Sequence, residues 1–405
     1  MLRFLTAGES HGPELMVIVE GLPAGVPVDQ EAVDHALARR QLGYGRGARS
    51  TKIERDHADV VAGVAAGRTT GAPVGIRIVN RDFANQPAAP PPLTAPRPGH
   101  ADLPGGVKYG LGDFRLVRER ASARETAARV AAGALARGLL GAFGVELGSF
   151  VTAVGGETFD VPVDELDERA LLELAGAADG DPMRCPDPAA SERMRAQVDR
   201  AKADGETAGG VFVAFATGVP AGLGSHVHWD RRLDGRLLQA IGSIHAVKGA
   251  EVGPAFDLAS RPGSRAVDAI VAGDRDGDGD GLRRPTNHAG GVEGGMTNGR
   301  PVVVRGAMKP LSSVRREVAS VDLRTGRPVD PAYVRSDVCA VPAAAVVGEA
   351  MLAWVLADAV CERFGADRLD LMLAALAAAR AEPFGAVPPG VPPDGSPVDA
   401  IPDRE

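Results

Sequence analysis

The chain has 405 residues, of which 44% are hydrophobic and 24% are charged, a composition that is typical of globular proteins and excludes wholesale disorder. Its formal net charge of −8 argues against a dedicated nucleic-acid binder, because such a protein depends on cationic side chains that neutralise phosphates. The cysteines form no CxxC pair, no signal segment is visible, and no run of 18 apolar residues is free of charge, proline or several glycines. We therefore expect a cytoplasmic protein with neither a membrane span nor a nucleic-acid partner.

The predicted elements follow one another in an irregular order. In chain order they are a short amino-terminal strand, a strand at 16–19, a helix capped by Asp29, a strand at 74–79, a helix opened by the capping box Ser122 to Glu125 and stopped by Gly144, a strand at 211–216, a helix capped by Asp230, a strand at 302–304 and an alanine-rich helix at 343–364. Because strands and helices do not alternate regularly, we expect a layered α+β fold rather than a Rossmann sheet.

Three features of the sequence bear on metal binding and on where the folded domain ends. Residues 273–281 read GDRDGDGDG and resemble a calcium loop, but Pro285 stands where an EF-hand needs a bidentate glutamate, so we interpret the segment as a solvent loop. His226 and His228 have metal-like spacing without a convincing third ligand, so no zinc site is expected. The tail 386–405 is rich in proline, aspartate and glycine, and we expect it to be disordered after a single domain over 1–385.

Two histidines beside glycines are candidates for proton transfer. His11 lies in GESHG at 8–12, and His100 lies in RPGHAD at 97–102. Histidine titrates near neutral pH, and a flanking glycine lets the backbone approach a ligand closely. Taken singly, GESHG is as typical of a surface-loop histidine as of a catalytic one, and RPGHAD is as typical of a capped turn as of a general acid beside an anion.

Basic and glycine-rich motifs predict an anionic small molecule as ligand. Arg120 and Arg124 flank the predicted helix start at Ser122, where the helix dipole and free N–H groups suit an anion. The segments NHAGGVEGGMTNG at 287–299 and KPLSS at 309–313 add backbone amides, hydroxyls and one cation. A solvated charged face is the alternative for a further run of cations interleaved with glycines, which consists of Arg39, Arg40, Arg46, Arg49, Lys52 and Arg55.

Together these segments resemble the chorismate synthase family over nearly everything before the tail. The matching motifs, in family order, are GESHG at Gly8, RPGHAD at Arg97, RASARETA at Arg120, AVKGAEVG at Ala246, NHAGGVEGGMTNG at Asn287, KPLSS at Lys309, RSDVC at Arg335 and EAM at Glu349. The resemblance implies a β-α-β sandwich, usually assembled as a homotetramer. It also implies a lyase of the shikimate pathway that converts 5-enolpyruvylshikimate 3-phosphate to chorismate and phosphate by anti-1,4-elimination. That reaction requires reduced FMN without net redox change, and NADPH is a candidate reductant.

The resemblance further implies roles for individual residues. His11 matches the histidine that protonates the departing phosphate, His100 the histidine placed at the reduced flavin, and Asp337 the aspartate that acts with the flavin in removing the substrate proton. The implied substrate contacts include Ser10, Arg49 and Arg124. Arg40 and Arg46 contact NADPH or substrate in competing interpretations. The implied FMN contacts are Arg120, Ala121, Ser122, His245, Ala246, Gly294, Lys309, Pro310, Leu311, Ser312, Ser313 and Arg335.

Two departures from the family pattern keep other functions open. Ser336 replaces the family histidine before Asp337, which predicts a change in the orientation or pKa of that aspartate. His245 stands where Gln or Asn is usual, and it brings a group that titrates near pH 6.5. A divergent flavin-binding paralogue is therefore one alternative. An NADPH-dependent flavin reductase is another, because arginines beside a flavin suit hydride transfer.

Overall fold

A computed structural model describes residues 2–47, 49, 53–87, 90–272, 282–316, 318–330 and 337–381. The acidic segment 273–281, the tail 386–405, Lys52, Arg335 and Ser336 lie outside the described residues. The predictions of a solvent loop at 273–281, of a disordered tail and of a domain boundary at 385 therefore stay predictions.

Within this part of the chain the structure has ten α-helices and seventeen strands, several of only two residues. The helices are α1 Gln30–Gln41, α2 Asp102–Tyr109, α3 Phe114–Arg120, α4 Thr126–Ala142, α5 Glu168–Asp179, α6 Pro188–Ala203, α7 Leu233–Gly242, α8 Ala255–Leu258, α9 Val341–Phe364 and α10 Leu369–Ala381. The strands are β1 Arg3–Ala7, β2 Glu14–Glu20, β3 Ala58–Ala62, β4 Val64–Ala65, β5 Arg68–Thr69, β6 Val74–Val79, β7 Glu146–Val154, β8 Glu157–Thr158, β9 Gly210–Thr217, β10 Val247–Val252, β11 Val271–Ala272, β12 Leu282–Arg283, β13 Val292–Glu293, β14 Met296–Thr297, β15 Val302–Met308, β16 Ser320–Asp322 and β17 Arg327–Val329.

Two antiparallel sheets enclose a layer of helices. The first sheet has the strand order β1-β2-β6-β3, and the second has the order β10-β15-β9-β7-β8. Helix α4 packs on β2 and on α9, and α9 packs on β7 and β9. In β2 the side chains of Leu15, Val17 and Val19 face this core, and they alternate with exposed Met16 and Ile18, as expected of a sheet with one buried face. The arrangement confirms the predicted α+β fold and its β-α-β sandwich.

Helix α9 is the central core helix and confirms the prediction at 343–364. Small residues let its neighbours approach closely: a Cβ added to Gly133 of α4 would lie 2.5 Å from the Cβ of Ala350, and one added to Gly348 would lie 2.4 Å from the ring of Phe212. Among the described residues α9 alone is long and apolar enough to cross a membrane. Its most apolar window is 94% buried inside the protein, which is typical of a core helix.

A charge cluster anchors α9 to its neighbours. Glu349 accepts hydrogen bonds from Arg39 Nη1 at 2.8 Å and Ser149 Oγ at 2.9 Å, and it also pairs with Arg137. Burial alone raises the pKa of Glu349, but Arg39 and Arg137 outweigh burial and lower the pKa to about 2. Arg39, which the sequence grouped with the ligand-binding cations, therefore stabilises the fold.

The structure confirms one predicted helix cap and corrects two. Asp29 accepts hydrogen bonds from the N–H groups of the first turn of α1, as predicted. Ser122 caps a 3₁₀ turn ahead of α4, but Glu125 does not close the capping box, because its carboxylate instead accepts from Thr6 and Arg129. Asp230 caps no helix, since it accepts from the His228 ring at 2.6 Å and α7 begins at Leu233.

Candidate active site

A cavity of about 1080 Å³ collects most of the predicted site residues. Its wall is built from loops after β1 and α1, the segment between β6 and α4, the turn between α7 and β10, the end of β15 and the start of α9. The predicted residues that line it are Ser10, His11, Arg40, Arg46, Arg49, His100, Ala121, Ser122, Arg124, His245, Ala246, Lys309, Leu311, Ser312, Ser313 and Asp337. Residues from motifs that are far apart in sequence thus line the same cavity.

His11 is held by a carboxylate on one side and an arginine on the other. Its Nδ1 lies 2.8 Å from Oε1 of Glu119, whose Oε2 also accepts the backbone N–H of His11 at 2.6 Å. Its Nε2 lies 3.2 Å from Nη1 of Arg49. Burial raises the pKa of Glu119, but the hydrogen bonds from the His11 ring and backbone outweigh burial, so the pKa is lowered and the carboxylate is ionised.

The loop that carries His11 is held in place by the residue that follows β6. Asn80, at the end of β6, donates its Nδ2 protons to the carbonyl oxygens of Glu9 and Gly12, at 3.1 and 2.8 Å. Gly8 has φ +103°, and a Cβ there would lie 2.3 Å from the carbonyl oxygen of Glu14, so the turn into β2 requires glycine. The loop therefore presents His11 on a rigid support.

His100 forms a second histidine–carboxylate pair. Its Nδ1 lies 2.6 Å from Oδ1 of Asp102, a side chain with no exposed surface, while Oδ2 of Asp102 accepts from Arg118 Nε at 2.6 Å and from the Arg97 N–H at 2.8 Å. Burial raises the pKa of Asp102, and these hydrogen bonds more than reverse the effect. An ionised Asp102 fixes the proton on Nδ1, which leaves Nε2 of His100 as the nitrogen that a ligand can contact.

Three of the predicted arginines are tied to the cavity wall by carboxylates. Asp56 accepts from Arg40 Nη2 at 2.7 Å and from Arg124 Nη1 at 2.6 Å. Arg46 Nη1 lies 2.5 Å from Oδ2 of Asp337, and Oδ1 of Asp337 accepts the Gly47 N–H at 2.6 Å. Arg49, by contrast, is 25% exposed. The first three therefore have fixed positions, and Arg49 is the one with more access to solvent.

His245 and the KPLSS segment form another part of the wall. Ala246 has φ +64°, a conformation that alanine rarely adopts, and its carbonyl oxygen accepts the N–H of Lys309 at 2.9 Å. Burial lowers the pKa of His245 below its ordinary value of 6.5, which favours the neutral ring. Burial and the neighbouring cations Lys248 and Arg97 lower the pKa of Lys309.

Several buried side-chain nitrogen atoms of the lining residues have no hydrogen-bond partner among the described residues. In the described part of the chain no hydrogen-bond acceptor is found for Nε of Arg40, Nε of Arg97, Nη1 of Arg118, Nη2 of Arg124 or Nδ1 of His245. Buried polar groups are normally hydrogen-bonded, so these five donors are exceptions among the described residues.

Four predicted residues are placed elsewhere or cannot be placed. Arg120 is exposed and donates to Thr6, while Pro310 belongs to the KPLSS segment without lining the cavity. Gly294 lies in the exposed turn between β13 and β14. Arg335 lies outside the described residues. Within the same motif as Gly294, Asn287 is 1% exposed and bonds to backbone groups, so it shapes a loop.

The structure adds residues that sequence reasoning missed. Glu119 and Asp56 carry no motif of their own, and their partners are identified only in three dimensions. Asp102 was visible in RPGHAD, where its spacing of two residues from His100 was the available signal. The cavity is also lined by Lys202, Thr207 and Arg315, which belong to no recognised motif. No group of three metal-ligating side chains is found in the segments that the structure describes.

A cavity with two histidine–carboxylate pairs and several fixed arginines has the side chains that an acid–base enzyme needs. The sequence profile of the chorismate synthase family matches residues 2–361. The chorismate synthase of Moorella thermoacetica is 53% identical over 389 residues, which cover 94% of this chain and 98% of the relative. That of Rubrobacter xylanophilus is 54% identical, with 91% and 93% covered. The chain therefore belongs to the chorismate synthase family of shikimate-pathway lyases.

A solved structure supports the same assignment. A crystal structure of a chorismate synthase superposes with a TM-score of 0.76 at 41% identity, and the match covers 94% of this chain and 97% of that one. The likeness thus extends over both sheets and the helices between them.

Proposed function

We propose that this chain converts 5-enolpyruvylshikimate 3-phosphate to chorismate and phosphate by anti-1,4-elimination in the presence of reduced FMN. The observation that carries the proposal is the convergence of His11, His100 and Asp337 with Arg40, Arg49 and Arg124 on one cavity. In the reaction the C3–O bond breaks with its electron pair going to phosphate, a proton leaves C6, and a second ring double bond forms.

The arginines suit a substrate with two carboxylates and a phosphate. Arg124 and Arg40 are held by Asp56, yet Arg124 retains a buried Nη2, and Arg40 a buried Nε, without a hydrogen-bond partner among the described residues. Pairing with an anion would satisfy these donors, and charge-assisted hydrogen bonds are the strong ones. The carboxylate partners keep the arginines in place before the substrate arrives, which reduces the cost of ordering them.

The residues around His245 fit a flavin. Its buried Nδ1 lacks a partner in the described part of the chain, and Ala246 and the KPLSS segment bring backbone groups and hydroxyls to the same wall. The volume of about 1080 Å³ exceeds the usual range of roughly 300–1,000 Å³ for one ligand, so substrate and FMN can lie side by side. Reduced FMN would supply electron density to the reacting ring without net redox change.

Three side chains of this chain would handle protons. His11 would protonate the leaving phosphate, supported by its pairing with Glu119. His100 would interact with the flavin through Nε2, because Asp102 occupies Nδ1. Asp337 would take part in removing the C6 proton, and Arg46 and the Gly47 N–H hold its carboxylate at the cavity wall.

We further propose that the enzyme is a cytoplasmic homotetramer and that NADPH is a candidate reductant for its flavin. Self-association is supported by the outer face of the first sheet, where Leu5, Met16 and Ile18 are 67%, 47% and 48% exposed. Light scattering tests the tetramer directly: a mass near four times 41.7 kDa is expected, and a monomer would contradict it.

Spectroscopy and product formation together test the function. Oxidised FMN should show a perturbed absorbance spectrum when protein and substrate are both present. Under anaerobic conditions, dithionite-reduced FMN and substrate should then yield chorismate. Chorismate formation with NADPH in place of dithionite would show that the chain reduces its own flavin. A perturbed flavin spectrum without any chorismate would contradict the proposal and favour the divergent paralogue, with Ser336 and His245 as the first positions to revert.

A further inference from the structure

We propose that Glu119 is the positioning residue for His11. We also propose that Arg49 keeps the His11 ring neutral until an anion in the cavity draws Arg49 away from Nε2. The inference rests on the proposed function only for the destination of the proton, which is the leaving phosphate. It concerns two contacts on opposite sides of one imidazole ring.

Glu119 holds His11 through three separate contacts. Its carboxylate accepts from the Nδ1 side of the ring, at 2.8 and 3.1 Å, and from the backbone N–H of His11 at 2.6 Å. The backbone carbonyl of Glu119 accepts the N–H of Ser10 at 3.0 Å. The Glu119 side chain is only 16% exposed, and it lies near the end of α3. These contacts fix both the loop and the ring, unlike a surface ion pair.

Arg49 determines the protonation state of the ring. A guanidinium can only donate hydrogen bonds, so the contact of 3.2 Å between Arg49 Nη1 and His11 Nε2 requires that Nε2 accept. The ring proton must then lie on Nδ1, where Glu119 accepts it. The free enzyme therefore holds His11 as the neutral Nδ1–H tautomer, which has no proton on Nε2 to give to a leaving group.

An anion in the cavity would change the partner of Arg49. The guanidinium is 25% exposed, and it also contacts Ser10, Glu54 and, at 3.5 Å, Asp82. A phosphate dianion is a stronger acceptor for Arg49 than a neutral imidazole nitrogen. Once Arg49 turns to the phosphate, Nε2 is free to take a proton from solvent, and the imidazolium lies between the Glu119 carboxylate and the phosphate.

The elimination step then accounts for both the electron pair of the broken bond and the proton of His11. The C3–O bond breaks, its electron pair goes to the phosphate oxygen, and Nε2 of His11 delivers its proton to that phosphate. His11 returns to the neutral Nδ1–H form, and Arg49 returns to Nε2 when phosphate leaves. The charged groups that face the ring throughout are Glu119 and Arg49, with Glu54 and Asp82 behind Arg49.

Nitrogen NMR of histidine-labelled enzyme tests the proposal without a turnover assay. Histidine-selective ¹⁵N labelling reports which ring nitrogens carry protons, and the spectrum of His11→Gln assigns the His11 signals. In the free wild-type enzyme we expect a protonated Nδ1 and a bare Nε2. Titration with inorganic phosphate should protonate Nε2 as well. A proton on Nε2 before phosphate is added would overturn the role of Arg49.

Glu119→Gln tests the positioning role. Its amide keeps the size of the side chain but not the charge, so in saturating phosphate a smaller fraction of His11 should carry a proton on Nε2 than in the wild type at the same pH. The alkaline limb of the pH profile of kcat, which reports the enzyme–substrate complex, should move to lower pH. Asp102→Asn is the matched control, because it should alter the His100 signals and leave those of His11 unchanged.

The outcomes separate the two proposals. An unchanged His11 titration in Glu119→Gln would overturn the inference even if the enzyme makes chorismate. The expected NMR behaviour in an enzyme that makes no chorismate would instead contradict the proposed function alone.

Discussion

Asp56 binds Arg40 through Oδ2 at 2.7 Å, and its side chain has no exposed surface. The same carboxylate binds Arg124 through its other oxygen, so one buried anion positions two cations of the cavity. Burial raises the pKa of Asp56, and the two arginines more than reverse this effect and keep it ionised. The positions of two arginines that we propose as substrate contacts are thus set by a carboxylate that the substrate need not touch.

Replacing Asp56 should therefore destabilise the protein as well as the site. Asp56→Asn removes the carboxylate partner of buried Arg40 and leaves Arg124 with only Glu54 at 3.8 Å, and we expect a loss of about 3–5 kcal/mol in the free energy of unfolding, measured with denaturant. Asp59→Asn is the matched control, because the Arg77–Asp59 pair is exposed and should contribute about 0–1 kcal/mol. Equal effects of the two substitutions would contradict this account of Asp56.

The two histidines should each be needed for turnover. His11→Ala and His100→Ala should lower kcat by a factor on the order of 10² or more, because each removes a positioned proton-handling group. Steady-state assays with saturating substrate and reduced FMN measure the effect. His57→Ala, which alters an exposed ring paired with Asp34, serves as the control and should leave turnover unchanged. Turnover near that of the wild type in both active-site variants would remove His11 and His100 from the mechanism.

The buried Glu349 should make stability depend on acid pH. Its pKa is lowered from 4.5 to about 2 in the folded protein, so its stabilising contribution is fully present above pH 4.5 and is lost as the pH falls towards 2. We expect the free energy of unfolding of the wild type to decrease over this range. Glu349→Gln should be less stable at pH 7 and should show a weaker decrease on acidification. An equally steep decrease in the variant would contradict the assignment.

The histidine at position 245 should behave as a neutral hydrogen-bonding group. Burial lowers its pKa below the ordinary 6.5, so the ring stays uncharged above that pH. Flavin affinity, measured by fluorescence titration at pH 7 and 8, should therefore be the same at both values, and His245→Asn should match the wild type in this pH dependence. A marked gain of affinity from pH 8 to pH 7 in the wild type alone would show that His245 gains charge there.

Much of the fold could be predicted because local patterns decided it. The alanine-rich run at 343–364 has no polar face, and the alternating apolar residues of β6 leave only one face for the core, so both were recognised. The strand β7 was missed because its glycine, serine and threonine weaken the alternating pattern in the sequence. The caps at Asp230 and Glu125 were wrong because other groups bind these carboxylates: the neighbouring His228 ring binds Asp230, while Arg129 of the next helical turn and the distant Thr6 bind Glu125.

The sequence predicts those cavity residues that belong to recognisable motifs. It does not predict residues such as Glu119 and Asp56, which are identified only by their contacts in the folded chain. Arg39 and Arg40 are neighbours in sequence, but successive side chains of a helix point about 100° apart, so one reaches Glu349 in the core and the other reaches Asp56 at the cavity. No composition argument separates them. Glu119 is likewise invisible as a partner of His11, because the two positions are 108 residues apart in sequence.

The most direct test of the central claim, that one cavity carries out a redox-neutral elimination, is the stoichiometry of a single anaerobic turnover. Enzyme with reduced FMN is mixed with a limiting amount of 5-enolpyruvylshikimate 3-phosphate, and chorismate, phosphate and the flavin absorbance are recorded together. We predict chorismate and phosphate in equal amounts and flavin that is fully reduced at the end. Net flavin oxidation, or phosphate released without chorismate, would contradict the account.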